Sequence, residues 1–192
     1  MSEDKLKSFF LYCSSANVLT EVEKKLKEVM QSEVTLKRLE INGKLFIKAY
    51  PNNITSHDEP KSNDYSYDRG NDYTCVTDYE LKAPNLNEID QMVAETPIAN
   101  LRNYLDYNSG ILHSIKEKFR FAGVLYNSAD NTCIAISLEK PLYKGYLSQG
   151  DITMYSNNKE VLLLFTQNIT QLEQDTLEIN GKVKPAFRSK TI

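Results

Sequence analysis

The sequence predicts an α+β fold with mixed or mainly antiparallel sheets, and three observations carry that expectation. Two Asn-Gly dipeptides, Asn42-Gly43 and Asn180-Gly181, each join strand-like runs. An apolar stripe at helical spacing, Val22, Leu26, Val29 and Met30, lies near the N-terminus. A block of helical pieces from Asn85 to Lys118 separates two β-rich ends. Asn-Gly supplies the positive φ angles of a type I′ turn and so marks a hairpin.

At 192 residues, 41% hydrophobic and 26% charged, the chain has the make-up of an ordinary folded protein. It is long enough to bury a core without disulfides or metals. A single globular domain over 1–192 is expected, divisible into a β-α-β-β-β half (1–84), a helical middle (85–118) and a β-meander half (119–192). The net charge of −3 creates no global field toward nucleic acid or membrane. Cys13, Cys75 and Cys133 are odd in number and lack Cys-x-x-Cys spacing, which predicts neither a disulfide framework nor a zinc site. The acidic start, Met-Ser-Glu-Asp-Lys, does not suit a signal peptide. Val161–Phe165 is too short to cross a bilayer. A reduced, cytoplasmic location is expected, with no cofactor and no metal.

In chain order, Phe9–Cys13 reads as a buried strand. Thr20-Glu-Val-Glu23 matches a capping box, in which hydroxyl and carboxylate satisfy free helix N–H groups. The helix is expected to start there, or a turn earlier at Ser15, and to end near Gln31. Val34–Ile41 and Lys44–Tyr50 form the first hairpin. A slip in alternation at Leu36-Lys-Arg-Leu39 predicts a bulge. Residues 51–72 lack apolar periodicity and read as a long loop, followed by a strand at Tyr73–Leu81.

Three helical pieces come next. Asn85-Leu-Asn-Glu88 is a second capping box, Thr96-Pro97 starts another helix, and Ile111, Ile115 and Phe119 suggest a third. Phe119–Tyr126 and Thr132–Leu138 flank turn residues, as do Ile152–Ser156 and Glu160–Thr166 around Asn157-Asn158. Thr176–Ile179 and the run from Lys182 form the last hairpin, with Pro185 restricting its second strand to an edge. Leu39-Glu-Ile-Asn-Gly-Lys44 recurs as Leu177-Glu-Ile-Asn-Gly-Lys182. Because the flanks diverge at once, two independently chosen hairpins explain this better than duplication.

The function expected is non-catalytic. Between Pro51 and Glu80 there are seven acids and two bases, a local charge of −5. Within that stretch Asp64, Tyr65, Tyr67, Asp68, Asp72, Tyr73, Asp78 and Tyr79 interleave carboxylates with tyrosines. Tyrosine offers large contact area at low entropy cost, and carboxylates steer toward a basic surface. The expected role is an inhibitor or accessory factor of bacterial or phage type that binds a basic protein partner.

Two alternatives concern phosphate chemistry. Asp78, Glu80 and Lys82 share one face of a strand, where two carboxylates could hold Mg²⁺ and a lysine could steady phosphate charge. This Asp-x-Glu-x-Lys pattern resembles the core motif of restriction-type nucleases, although the upstream Pro-Asp of that family is absent. Lys116-Glu-Lys-Phe-Arg-Phe121 mixes bases with aromatics, and Lys182, Lys184, Arg188 and Lys190 make a basic tail. Together they offer a nucleic-acid surface, while Phe119 and Phe121 are expected in the core. His57-Asp58-Glu59 is read as surface loop rather than metal site. The other histidine, His113, is expected to face solvent.

Overall fold

The structure is a computed structural model that describes residues 8–30, 34–51, 73–82, 110–147 and 151–186. It is α+β, with two antiparallel sheets and helices among the described residues. The strands form two compact units that interleave along the chain. One draws on Met1–Ser62 and Pro141–Leu172, the other on Asn63–Lys140 and Glu173–Ile192.

The first unit is built around β1 (Phe9–Cys13), which is buried at every position. It lies between β3 (Lys44–Pro51) and β8 (Ile152–Ser156) in a sheet that also holds β2 (Val34–Ile41), β7 (Tyr143–Leu147) and β9 (Ile169–Gln171). Their order is β2-β3-β1-β8-β7-β9. One face presents Phe9, Leu11, Cys13, Leu45, Ile47, Ala49 and Met154 to Val22 and Leu26 of α1 (Leu19–Val29). The same core takes in Val161 and Leu162 of a short helix, α3 (Lys159–Leu163). Burying a side chain such as Leu26 stabilises by about 1.5–3 kcal/mol.

Three expectations change in this unit. Helix α1 begins at Leu19 after Val18, which makes no side-chain cap, and the earlier of the two expected starts corresponds to Ser15, whose hydroxyl accepts from the Asn17 N–H ahead of a 3₁₀ turn at Ala16–Val18. Thr20 is already inside the helix, so its capping box is not used. The expected bulge in β2 is absent, because the β2–β3 register runs unbroken from Val34↔Pro51 to Ile41↔Lys44. The slip in alternation is instead an exchange of faces. Val34 and Leu36 pack toward α1, and Leu39 and Ile41, half-buried, lie on the opposite face. An edge strand tolerates this because neither of its faces is fully covered.

The third change is at Asn157-Asn158, which is a junction rather than a hairpin turn. The Asn157 side chain accepts the Phe10 N–H at 2.9 Å, and the Asn158 side chain caps α3 by accepting from Glu160 N–H at 2.9 Å. The residues 160–166 therefore do not form the second strand of a hairpin, and β8 pairs with β1 and β7.

The second unit has the strand order β11-β10-β6-β5-β4, comprising β4 (Tyr73–Leu81), β5 (Phe119–Asn127), β6 (Thr132–Leu138), β10 (Thr176–Ile179) and β11 (Lys182–Pro185). Helix α2 (Gly110–Lys118) runs directly into β5 and contributes Leu112 and Ile115 to a core with Cys75, Phe121, Leu125, Ile134, Ile136 and Leu177. Phe119 and Phe121 are buried as expected, and His113 is exposed. Pro185 ends an edge strand, as its missing N–H requires. Gly123 lies where a Cβ would come within 2.9 Å of both Phe121 Cζ and Thr77 Cγ2, so the core ring can fold back over the sheet.

Candidate functional site

Of the charged groups singled out in the sequence, Asp78, Glu80, Lys82, Lys116 and Arg120 gather on β4 and beside it in the second unit. β4 pairs with β5 along its whole length, from Tyr73↔Asn127 to Leu81↔Phe119. The two-residue period puts Asp78, Glu80 and Lys82 on one face and Tyr79 on the other. Tyr79 meets Phe119 edge to face at 5.7 Å and joins the core beneath α2. Asp78 and Tyr79 therefore point in opposite directions.

Each member of the charged triplet faces an opposite charge. Asp78 lies opposite the small Ala122 and accepts from the Lys140 amine at 2.7 Å. Lys140 is held in turn through its carbonyl, which accepts from the Ser137 hydroxyl at 2.8 Å. Glu80 sits 3.8 Å from Arg120, across the ladder and largely exposed, a pair worth at most about 1 kcal/mol. Lys82 meets Glu139 at 2.6 Å, and its N–H donates to the Lys118 carbonyl at 3.0 Å.

Beyond the triplet the network extends to residues that no motif marks. Glu139 also lies 4.0 Å from the Lys116 amine, which pairs with Asp175 as well. Both carboxylate residues have left-handed backbone, φ 56° at Glu139 and 59° at Asp175. Among the described non-glycine residues with positive φ, Glu139 alone is neither Asn nor Asp, the types that tolerate this region best. The hydrogen bond from Lys82 holds the Glu139 carboxyl below its ordinary range, with Lys116 and Arg120 adding to the effect against partial desolvation. One oxygen of Asp175, Oδ1, is buried without a hydrogen-bond partner.

The remaining sequence candidates distribute as follows. Asp64, Tyr65, Tyr67, Asp68 and Asp72 lie outside the described residues, as do His57, Asp58 and Glu59, and Arg188 and Lys190. Tyr73 opens β4. The segment 116–120 is divided between helix and strand: Lys116 and Lys118 end α2, and Arg120 faces Glu80. Lys182 and Lys184 are exposed on β11. Among the described residues no group of three His, Cys, Asp or Glu side chains is placed to hold a metal ion. No described helix is long and apolar enough to cross a membrane.

No protein-family model matches the chain, and no curated protein matches it. Among solved structures it is similar to the glutamine phosphoribosylpyrophosphate (PRPP) amidotransferase from B. subtilis complexed with ADP and GMP. The TM-score is 0.60 at 10% identity, over 93% of this chain and 49% of that one. A predicted glutamine amidotransferase from Pseudomonas aeruginosa gives a TM-score of 0.42 at 9% identity, over 92% of this chain and 86% of that one. The likeness to the B. subtilis protein is one of fold, and this chain spans about half of its length.

Proposed function

We propose that the chain is a non-catalytic binding protein, an inhibitor or accessory factor that captures a basic protein surface with its acidic, tyrosine-rich stretch. The observation that carries this reading is a contrast in charge balance. Around β4 the acids are matched: Asp78 by Lys140, Glu80 by Arg120, Glu139 by Lys82, and Asp175 by Lys116. From Asp58 to Asp72, five acids stand against Lys61 and Arg69. An excess of carboxylates interleaved with tyrosines suits a cationic partner, whereas ion-paired carboxylates on a strand suit a structural role.

A pull-down from native lysate, with and without nuclease, tests the reading. A protein partner that survives nuclease is expected, and the combined Tyr65→Ala, Tyr67→Ala and Tyr73→Ala variant should lose it while melting unchanged. Recovery that vanishes with nuclease would transfer the assignment to nucleic acid. A rise in melting temperature with Mg²⁺, abolished by Glu80→Ala, would favour the phosphodiesterase alternative.

The fold likeness favours a second reading, amide transfer from glutamine, the substrate named for the B. subtilis protein. Such chemistry needs a nucleophile. Cys13 is fully buried in β1 and its thiol is pushed far up by burial, which disfavours the thiolate. Cys133 is half-buried. Release of glutamate from glutamine by the purified protein, blocked by thiol alkylation, is the result that would carry this reading.

A further inference from the structure

Among the described residues, the edge of the first sheet is unpaired at β2. The two-residue turn at Asn42-Gly43 makes Ile41 and Lys44 a hydrogen-bonded pair, so Leu39, Lys37 and Thr35 bond inward to β3. Glu40, Arg38, Leu36 and Val34 consequently direct their N–H and C=O groups outward, along an eight-residue strand with no bulge and no proline. Among the described residues nothing pairs with that side.

The other sheet edges differ. β9 is three residues long, and β11 is four and ends in Pro185. The outermost strand β4 carries Asp78 and Glu80, each facing an opposite charge. Nor do the charges of β2 screen its edge. The Lys37 amine lies 5.2 Å from the centre of the Tyr50 ring, over one face, and Arg38 reaches Glu23 of α1 over the other. A regular edge of this length is a template for another strand.

We propose that β2 pairs antiparallel with β2 of a second copy of this chain, about a two-fold axis at Leu39, to make one sheet continuous across a dimer. The charge order of the strand selects this register. It sets Arg38 opposite Glu40 of the second copy and Glu40 opposite its Arg38, on the same face, with the two leucines meeting at the axis. Both charge pairs then also exchange main-chain hydrogen bonds. Centring on residue 37, 38 or 40 instead opposes lysine to lysine, arginine to arginine or glutamate to glutamate. Centring on Leu36 matches no opposite charges. Cross-strand pairs of opposite charge stabilise and like charges destabilise, and a two-fold axis repeats each effect. Glu40 is exposed and, among the described residues, has no ion-pair partner within its own chain.

Sedimentation equilibrium of the full chain tests the pairing. The expected result is a reversible monomer–dimer equilibrium based on the 22.0 kDa monomer. Glu40→Arg should weaken the dimer by about tenfold or more. The exchanged variant, Arg38→Glu with Glu40→Arg, should restore it. Hydrogen exchange on the unaltered chain supplies a readout that no variant can spoil by misfolding. The amides of Arg38 and Glu40 should gain protection as concentration rises. A monomer at every concentration, a dimer indifferent to Glu40→Arg, a swap that fails to rescue, or concentration-independent exchange at these amides would each overturn the proposal.

Discussion

Two hairpins in this protein share six residues, Leu39–Lys44 and Leu177–Lys182, and share a turn. Both asparagines have φ 47°, and the glycines have 71° and 82°. Beyond the turn their fates diverge. Leu39 is half-buried, and Leu177 is a core residue. Glu40 is exposed, and Glu178 is 3% exposed. Lys44 donates to the Ser14 carbonyl at 3.0 Å, and Lys182 stands in solvent. In the first hairpin the strand entering the turn is the sheet edge, and in the second it is the strand leaving it. A duplicated unit would keep the same strand at the edge, so the inversion fits two hairpins with separate origins. The comparison teaches that a turn follows from local dihedral preference, whereas burial depends on which remote strand lies alongside.

The widest difference should appear at the paired leucines. Leu177→Ala removes a packed core side chain and should cost about 2–5 kcal/mol, while Leu39→Ala should cost about 1 kcal/mol. Urea unfolding of the two variants measures both, and equal losses would break the comparison. The paired lysines come next. Lys44→Ala should lose about 1–2 kcal/mol with its bond to the Ser14 carbonyl, while Lys182→Ala should stay within about 0.5 kcal/mol of the parent. A loss at Lys182 equal to that at Lys44 would mean that β11 is engaged.

The smallest effect sharpens the contrast between the sheets, since the carboxylates gathered around Lys116 belong to the second alone. Glu139 has its folded pKa lowered, chiefly by the hydrogen bond from Lys82. Its contribution is therefore present above the ordinary glutamate value of about 4.3 and is lost as pH falls through the lower folded value. The melting temperature of Glu139→Gln should lie slightly below that of the parent at neutral pH. The gap should close at acid pH, below the usual glutamate range. A gap that persists there would show that the effect is steric.

Much of the fold is legible in the residues, and the misreadings have specific causes. The Asn-Gly hairpins, the buried strand at Phe9–Cys13 and the stripe of Val22 and Leu26 follow from period and turn chemistry, and each forms. The Thr20 capping box goes unused because Thr20 lies within the first turn of α1, and the earlier start at Ser15 is the one the chain takes, through a 3₁₀ turn at Ala16–Val18. Asn157-Asn158 resembled a hairpin turn, yet one side chain bonds the backbone of β1 and the other caps α3. That partner lies at Phe10, and no local pattern contains it. Strands β7 and β9 leave little trace in the sequence because Tyr143–Leu147 and Ile169–Gln171 are short and weakly alternating. At the candidate site, the period of two placed Asp78, Glu80 and Lys82 on one face of β4. Their partners Lys140 and Glu139, and Asp175 beyond them, come from separate segments, and a left-handed Glu139 has no sequence signal.

By itself the sequence determined the local conformations: where turns form, which residues alternate, which stretch is acidic, and that β elements dominate. Those properties depend on dihedral preference and on neighbours within a few positions. Only the tertiary structure decided that the strands divide between two sheets whose segments alternate along the chain, that the triplet on β4 is matched by countercharges, and that β2 carries a regular edge unpaired among the described residues. These depend on which distant segments come together, and the hydrophobic burial that drives them is non-directional, so no short stretch of residues records the choice.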